Sequence, residues 1–491
     1  MLGTTAEHPL RRLRALVISL PLLRRLWRAL FGSAEPVWMD VSRYAKEGGV
    51  FAPVQVKAQL DQQAAPPLHQ AEQYYPDLLA RIDASVWSEP APSDPVCIIN
   101  NGLSGGGAER QIVYTLTGLA ARGRNVRFIG EYLDLAPGQS FYLPQLRSAG
   151  VPAAQMERHT RPPLETYRHV PRAVAEALSR MPTQDVLDIL DMADHLRSIR
   201  PALVHIWQDQ SATKHTISAL LAGVPRTILS FRNLNPTHFE FHLPHMRAAY
   251  RAFAAHPAVR LSNNSQAGAN SYASWLGLPA TQITVIRNAV DMDAWPERSR
   301  TEAESWRTNN GFSAVGPLVI GIFRLSPEKR PLLWLETAAE IRARTPAVQF
   351  GLIGIGNMKD AVDEAIVRLG LSGCVRCLGE IRDVSLPLKA ADAFLLTSAQ
   401  EGMPNVLLEA QWYGCPVVTT DAGGAREAVL EGPAGIVAET DSPCVLAELV
   451  TAVINQDSKA QNPERDNREL IRKRFGLDRM LDETIAVYEV H

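Results

Sequence analysis

The chain has 491 residues, 46% hydrophobic and 21% charged, with a formal net charge of −2. That balance describes a soluble globular protein too long for one ordinary core, so two or three domains are expected. It supplies no overall basic field, which removes nucleic acid from the expected partners.

Residues 1–94 differ from the rest. Residues 10–31 read LRRLRALVISLPLLRRLWRALF, with arginines at both ends and no acid. The uncharged run over 15–23 falls short of the roughly 20 apolar residues that span a bilayer, and Pro21 would kink it. The expected form is a basic amphipathic helix lying on anionic lipid, with Trp27 and Phe31 as interfacial anchors. A helix packed on the protein with a solvated arginine face is the alternative. Residues 55–95, rich in Pro, Gln and Ala, read as a linker or an extension draped on the surface.

A regular α/β pattern begins at residue 96. An apolar strand over 96–100 runs into Asn101-Gly102-Leu103-Ser104-Gly105-Gly106-Gly107, then a helix over 108–122. Strand, glycine-rich turn and helix in this order let backbone approach a ligand at a helix N-terminus. The spacing is neither a dinucleotide fingerprint nor a phosphate loop of the Gly-Lys-Ser/Thr type. Further strands are expected at 126–129, 203–207, 226–230 and 283–286. Strands alternating with helices imply a parallel sheet with ligands at its carboxyl ends. His205, Asp209, His215, Arg232 and Asn233 are acceptor-side candidates by position, although His205 reads equally well as a core residue. The polar stretch over 296–316 is expected to link to a second unit.

In that unit a strand over 318–323 ends at Arg324, and Lys329 precedes a helix. Two fixed cations at a strand-to-helix junction suit a diphosphate. A close-approach turn follows around Gly351, Gly354 and Gly356. Cys374 and Cys377 read as two residues of a buried strand rather than a metal or redox pair, and five scattered cysteines fit a reducing cytoplasm.

The most informative stretch is 391–429. A strand over 393–396 enters a loop containing Glu401-Gly402-Met403-Pro404-Asn405, then a helix over 406–413, a strand over 416–419 and a Gly423-Gly424 turn. Pro404 suits a first helical position, and the N–H groups of Asn405, Val406 and Leu407 would then form an anion site. Glu401 and Glu409 would lie about 12 Å apart along a helix. Hydrolytic carboxylate pairs sit about 5–9.5 Å apart, so two carboxylates holding different parts of one extended ligand fit better than a glycosidase pair.

Residues 401–409 resemble the E-x7-E element of retaining glycosyltransferases, and the chain from residue 96 onward resembles glycosyltransferase family 4. Gly106 to Arg110 (GGAER) resembles the family's first loop, and Asn288-Ala289-Val290-Asp291 its Asn-Gly-Val-Asp. Trp207 stands where relatives carry the second His of His-x-His, so that histidine's role does not carry over.

The resemblance implies an α/β GT-B fold with two Rossmann-like domains facing a cleft. The acceptor domain would cover 95–290, the donor domain 317–475, and a helix over 476–491 would cross back. It implies retaining, metal-independent transfer from a nucleotide-diphosphate sugar, with the uridine form favoured, no cofactor and front-face displacement. Arg324 and Lys329 would neutralise the diphosphate, and Glu401 would hold the transferred sugar. Glu409 would bind the ribose hydroxyls. Gly106, Gly107, Gly356 and Ile381 would lie against the donor, as would Met403, Pro404, Asn405 and Val406. No metal ligands are expected, since Asp291-Met292-Asp293, the one Asp-x-Asp, falls away from the diphosphate. The acceptor would be a glycan or lipid-linked saccharide in cell-surface polysaccharide or lipopolysaccharide synthesis, in the cytoplasm or on the inner face of its membrane. A sugar-nucleotide epimerase on the same architecture, or a non-catalytic nucleotide-sugar-binding scaffold subunit, is the alternative.

Overall fold

The computed structural model describes residues 68–82, 93–133, 138–156, 170–178, 180–292, 294–430, 432, 434–455 and 463–489. The basic segment over 10–31 lies outside the described residues. Among them no helix is long and apolar enough to cross a membrane.

Two parallel sheets organise the chain. The first contains β1 (Val96–Asn100), β2 (Val126–Gly130), β3 (Ala153–Gln155), β4 (Leu203–Trp207), β5 (Thr227–Phe231), β6 (Val259–Asn263) and β7 (Ile283–Val285), in the order β3-β2-β1-β4-β5-β6-β7. The second contains β8 (Leu318–Ile322), β9 (Gln349–Ile353), β10 (Val375–Gly379), β11 (Ala393–Leu396), β12 (Val417–Thr420) and β13 (Gly435–Ala438), in the order β10-β9-β8-β11-β12-β13. In each, the strand order reverses beside the first strand, which opens a crevice at the carboxyl ends. Central strands such as β4 and β11 are buried throughout, because helices cover both faces of a parallel sheet.

Three expectations are corrected here. The stretch over 296–316 is not a bare linker. It contains the helix Arg300–Asn309, started by a capping box between Ser299 and Glu302, which satisfies two otherwise orphaned donors. Arg307 Nε donates to the Ala390 carbonyl, and Ala303 and Phe312 enter the second core. Gly351 belongs to β9 rather than to a turn, where a Cβ would lie 3.2 Å from Phe312. Cys374 is buried just before β10, but Cys377 is exposed on that edge strand.

The last helix, Leu477–Glu489, lies against the helix Gly107–Ala121 of the first sheet. A Cβ on Gly118 would meet Leu481 at 2.5 Å, so glycine permits this close crossing. Arg122 pairs with Asp478 and Asp482 at its edge.

Candidate active site

The carboxyl ends of β1, β4, β5, β8 and β11 converge on one cleft. On the second sheet, β8 ends before Arg324, which is exposed. The turn Pro327–Lys329 then brings Lys329 Nζ to 2.5 Å from Glu401 Oε1. Ser398 Oγ donates to the same oxygen at 2.7 Å. Arg330 has a left-handed φ of 50° and fixes the loop by donating to the carbonyls of Thr397 and Ser398. Such strain in a non-glycine residue persists only where its surroundings over-determine it.

The helix Asn405–Trp412 starts at Asn405, and Pro404 does not take its first helical position. Pro404 is its cap residue, and the Leu407 N–H donates to the Pro404 carbonyl at 3.2 Å. That uses one of the three N–H groups assigned to the anion site. The side chains of this junction turn toward the first sheet. Asn288 Nδ2 donates to the Met403 carbonyl at 2.9 Å and to Asn405 Oδ1 at 2.8 Å. Asn405 Nδ2 donates to the Gly107 carbonyl at 3.2 Å, and a Cβ on Gly107 would lie 3.0 Å from it. Gly107 therefore permits a close approach of the glycine-rich loop to this helix.

Glu409 is buried and ion-paired with Arg110 on the helix Gly107–Ala121. Burial works against the charge on Arg110, but Glu409 holds its pKa above the ordinary value. The GGAER stretch thus contributes more than backbone: Arg110 occupies the carboxylate expected to bind ribose. Sequence reasoning quoted Arg110 without assigning it a role, and its position after three glycines was the available signal.

A second group forms the first-sheet wall, of which sequence reasoning missed Glu109 and Gln208. Gln208, at φ 64°, starts the helix Asp209–Ala222 and donates to Glu109 Oε1 at 3.1 Å. Burial raises the pKa of Glu109, and the Arg324 charge acts in the opposite sense. The Arg232 guanidinium lies 4.1 Å above the centre of the Trp207 ring. A Cβ on Gly402 would come within 2.2 Å of the Arg232 carbonyl, which seats the Glu401 loop against the end of β5.

The remaining candidates separate clearly. Gly356 sits in a turn against Leu325, where a Cβ would lie 2.2 Å from the carbonyl oxygen. Ile381 packs on the second core, and Val406 is half-buried. Glu380 and Arg382 flank Ile381 and reach the first domain, with Arg382 4.8 Å from the centre of the Phe141 ring.

Three acceptor candidates are core residues instead. His205 pairs opposite Ile98 in mid-sheet, and its Nδ1 lies 2.8 Å from the Tyr488 hydroxyl. Burial pushes its pKa down to about 3, which keeps the ring neutral. Asp209 is buried and accepts from Tyr250 at 3.0 Å and from Tyr272 at 2.8 Å; burial pushes its pKa up to about 6. His215 is buried beside Glu131, at 3.1 Å. Asn233 is half-buried, with Oδ1 capped by its neighbour's N–H.

Comparison with known proteins fits this geometry. A model of glycosyltransferase family 4 matches residues 105–294, and one of group 1 glycosyl transferases matches 302–470. The chain is a family 4-like glycosyltransferase. It is 28% identical over 410 residues to the Vi polysaccharide biosynthesis protein VipC/TviE of Salmonella typhi, covering 79% of this chain and 70% of that one. The lipopolysaccharide core biosynthesis glycosyltransferase LpsE of Rhizobium meliloti is 29% identical over 159 residues, covering 32% of this chain and 46% of its own. For a D-inositol 3-phosphate glycosyltransferase of Geodermatophilus obscurus the figures are 28% over 242 residues, with 47% and 52% covered. The chain thus spans about half the length of these last two relatives.

Among solved structures, Anabaena Alr3699/HepE in complex with UDP and glucose superposes with a TM-score of 0.66 at 20% identity, covering 80% of this chain and 99% of that one. WaaG, a glycosyltransferase involved in lipopolysaccharide biosynthesis, gives 0.58 at 17%, covering 81% and 100%. The fold of this glycosyltransferase is therefore GT-B. The family match weighs for a transferase over the epimerase alternative.

Proposed function

We propose that this glycosyltransferase moves a sugar, with retention, from a nucleotide-diphosphate sugar to a saccharide or lipid-linked saccharide acceptor in polysaccharide or lipopolysaccharide synthesis. One observation carries the reading. Lys329–Glu401 and Arg110–Glu409 converge on the helix beginning at Asn405, at the mouth between two parallel sheets.

The chemistry requires stabilising the charge that develops on the departing diphosphate. Lys329 and Arg324 supply fixed positive charge at the end of β8, and the helix terminus adds dipole. Glu401, held by Lys329 and Ser398, is oriented for a sugar hydroxyl. Glu409 accepts the ribose hydroxyls once Arg110 releases it, and Arg110 is then free to turn toward phosphate. With charge stabilisation supplied by side chains, the proposal includes a metal-independent reaction. Names and UDP complexes of relatives favour uridine as the base, since HepE was solved with UDP and with UDP-glucose.

A thermal-shift screen with UDP, GDP and their common sugars, with and without EDTA, tests this directly. A ligand of the folded state raises its melting temperature with concentration over Kd. A shift with one nucleotide, unchanged by EDTA, is expected; no shift with any nucleotide refutes the reading. Peripheral membrane contact through residues 10–31 belongs to the same proposal. It predicts that a chain lacking residues 1–35 loses binding to anionic vesicles.

A further inference from the structure

We propose that Arg232, stacked on Trp207 in the wall of the cleft, recognises the carboxylate of an acidic sugar. The proposal rests on the donor-site reading above and deepens it.

Four observations carry it. First, two cations of the donor site are matched within the protein: Lys329 has Glu401 and Arg110 has Glu409. Arg232 forms no ion pair among the described residues. Its terminal nitrogens donate to Asn288 Oδ1 and, at 3.5 Å, to Ser230 Oγ, which are both neutral, while its buried Nε has no partner. A half-buried guanidinium with spare donors is costly unless a ligand completes it.

Second, its support is planar and aromatic. The guanidinium lies 4.1 Å from the centre of the buried Trp207 ring. Stacking fixes its plane and leaves its edge for a bidentate carboxylate, a geometry that Lys could not reproduce.

Third, its backbone borders the sugar end. The Arg232 carbonyl lies under Gly402, next to Glu401, the residue assigned to the transferred sugar. The diphosphate cations Arg324 and Lys329 come from β8, on the other domain.

Fourth, the acid whose charge acts on Arg232 is itself engaged elsewhere. Glu109 is engaged by Gln208, and burial raises its pKa. Burial correspondingly lowers the pKa of Arg232 to about 9. An incoming carboxylate would supply the missing charge.

The carboxylate has two sources, the donor's sugar or an acidic acceptor, and the experiment separates them. Isothermal titration of the full chain with UDP, UDP-glucose and UDP-glucuronic acid forms the donor arm. Titration of the UDP-saturated protein with trigalacturonic acid forms the acceptor arm. Arg232→Met and Arg232→Lys are run beside wild type, and their urea unfolding midpoints report an intact fold.

In the donor case, wild type binds UDP-glucuronic acid at least tenfold more tightly than UDP-glucose, Arg232→Met loses the preference, and Arg232→Lys keeps only part of it. In the acceptor case, the donors bind alike, and Arg232→Met loses trigalacturonic acid. Either result supports carboxylate recognition. No discrimination in either arm overturns it, as does Arg232→Met weakening UDP itself by the same factor, which would assign the guanidinium to the diphosphate. If wild type binds none of the nucleotides, the donor-site reading fails and takes this proposal with it. Nucleotide binding with no acid discrimination in either arm removes this proposal alone.

Discussion

Replacing Lys329 by Met separates the catalytic and structural roles of one ion pair. Glu401 is 6% exposed, whereas the Lys329 side chain is 21% exposed. Breaking a fully buried pair costs about 3–5 kcal/mol, and breaking an exposed one about 0–1 kcal/mol. The half-open ammonium places Lys329→Met between them, at about 2 kcal/mol. Most of that cost comes from stranding the Glu401 carboxylate with Ser398 as its remaining donor. A Lys329→Met/Glu401→Gln double variant leaves no stranded charge, so it should recover at least half of the lost stability. Turnover should not recover. Losing one charge-stabilising group lowers kcat about 10²–10³-fold, and the double variant also lacks the sugar-holding carboxylate. Urea denaturation, which leaves ion pairs unscreened, gives the first quantity; initial rates with the donor found by thermal shift give the second. Near-wild-type turnover of Lys329→Met would remove it from the chemistry. A double variant no more stable than the single would refute the stranded-charge argument.

Three further outcomes are expected. Glu409→Gln should weaken UDP binding by about 10–100-fold, the worth of hydrogen bonds to a charged group; titration calorimetry that finds unchanged affinity would take Glu409 out of the ribose site. Gly424→Ala puts a Cβ 1.5 Å from the Gly402 carbonyl, backbone against backbone. It should cost more than about 1–3 kcal/mol of unfolding free energy in urea denaturation, while Gly373→Ala, with nothing within 4 Å, should stay within about 0.5 kcal/mol. Asp209, raised from 3.8 to about 6 in the folded state, binds its proton more tightly there. Its contribution is therefore fully present below pH 4 and is lost as pH rises through 6. His205, lowered to about 3, acts in the opposite sense, since acid protonates the unfolded ring first. The two partly cancel between pH 4 and 6. Asp209→Asn should unmask the histidine, so that stability rises more steeply with pH over that window than in wild type, as read by urea unfolding at pH 4.5 and 6.5.

Much of the architecture is legible locally. β1, β4 and β11 follow from short apolar runs ended by polar or glycine residues, because a strand buried on both faces must be apolar throughout. The Glu401–Glu409 segment is recognisable for the same reason: strand, loop and helix start are neighbours in sequence, and their order determines which groups lie at the strand end. β6, read VRLSN, was not legible, since its polar residues satisfy partners supplied by the sheet. The helix Arg300–Asn309 also escaped, although the Ser299-to-Glu302 spacing was a usable signal.

What the sequence could not decide is which charges meet. Arg110 and Glu409 stand 299 residues apart, Asn288 and Asn405 117, and His205 and Tyr488 283. Each pairing depends on how two sheets and a returning helix pack, not on any local preference. From sequence alone, His205 and Arg232 were both acceptor-side candidates by position, with His205 reading equally well as a core residue. Packing separated them: the returning helix closes over His205 and neutralises it, whereas Arg232 remains at the cleft, laid on Trp207 with donors to spare. Sequence thus determined the fold class and the residue types at the strand ends. Tertiary structure decided which of those residues are matched within the protein and which are left for a ligand, because desolvation and pairing depend on neighbours that only the folded chain brings together.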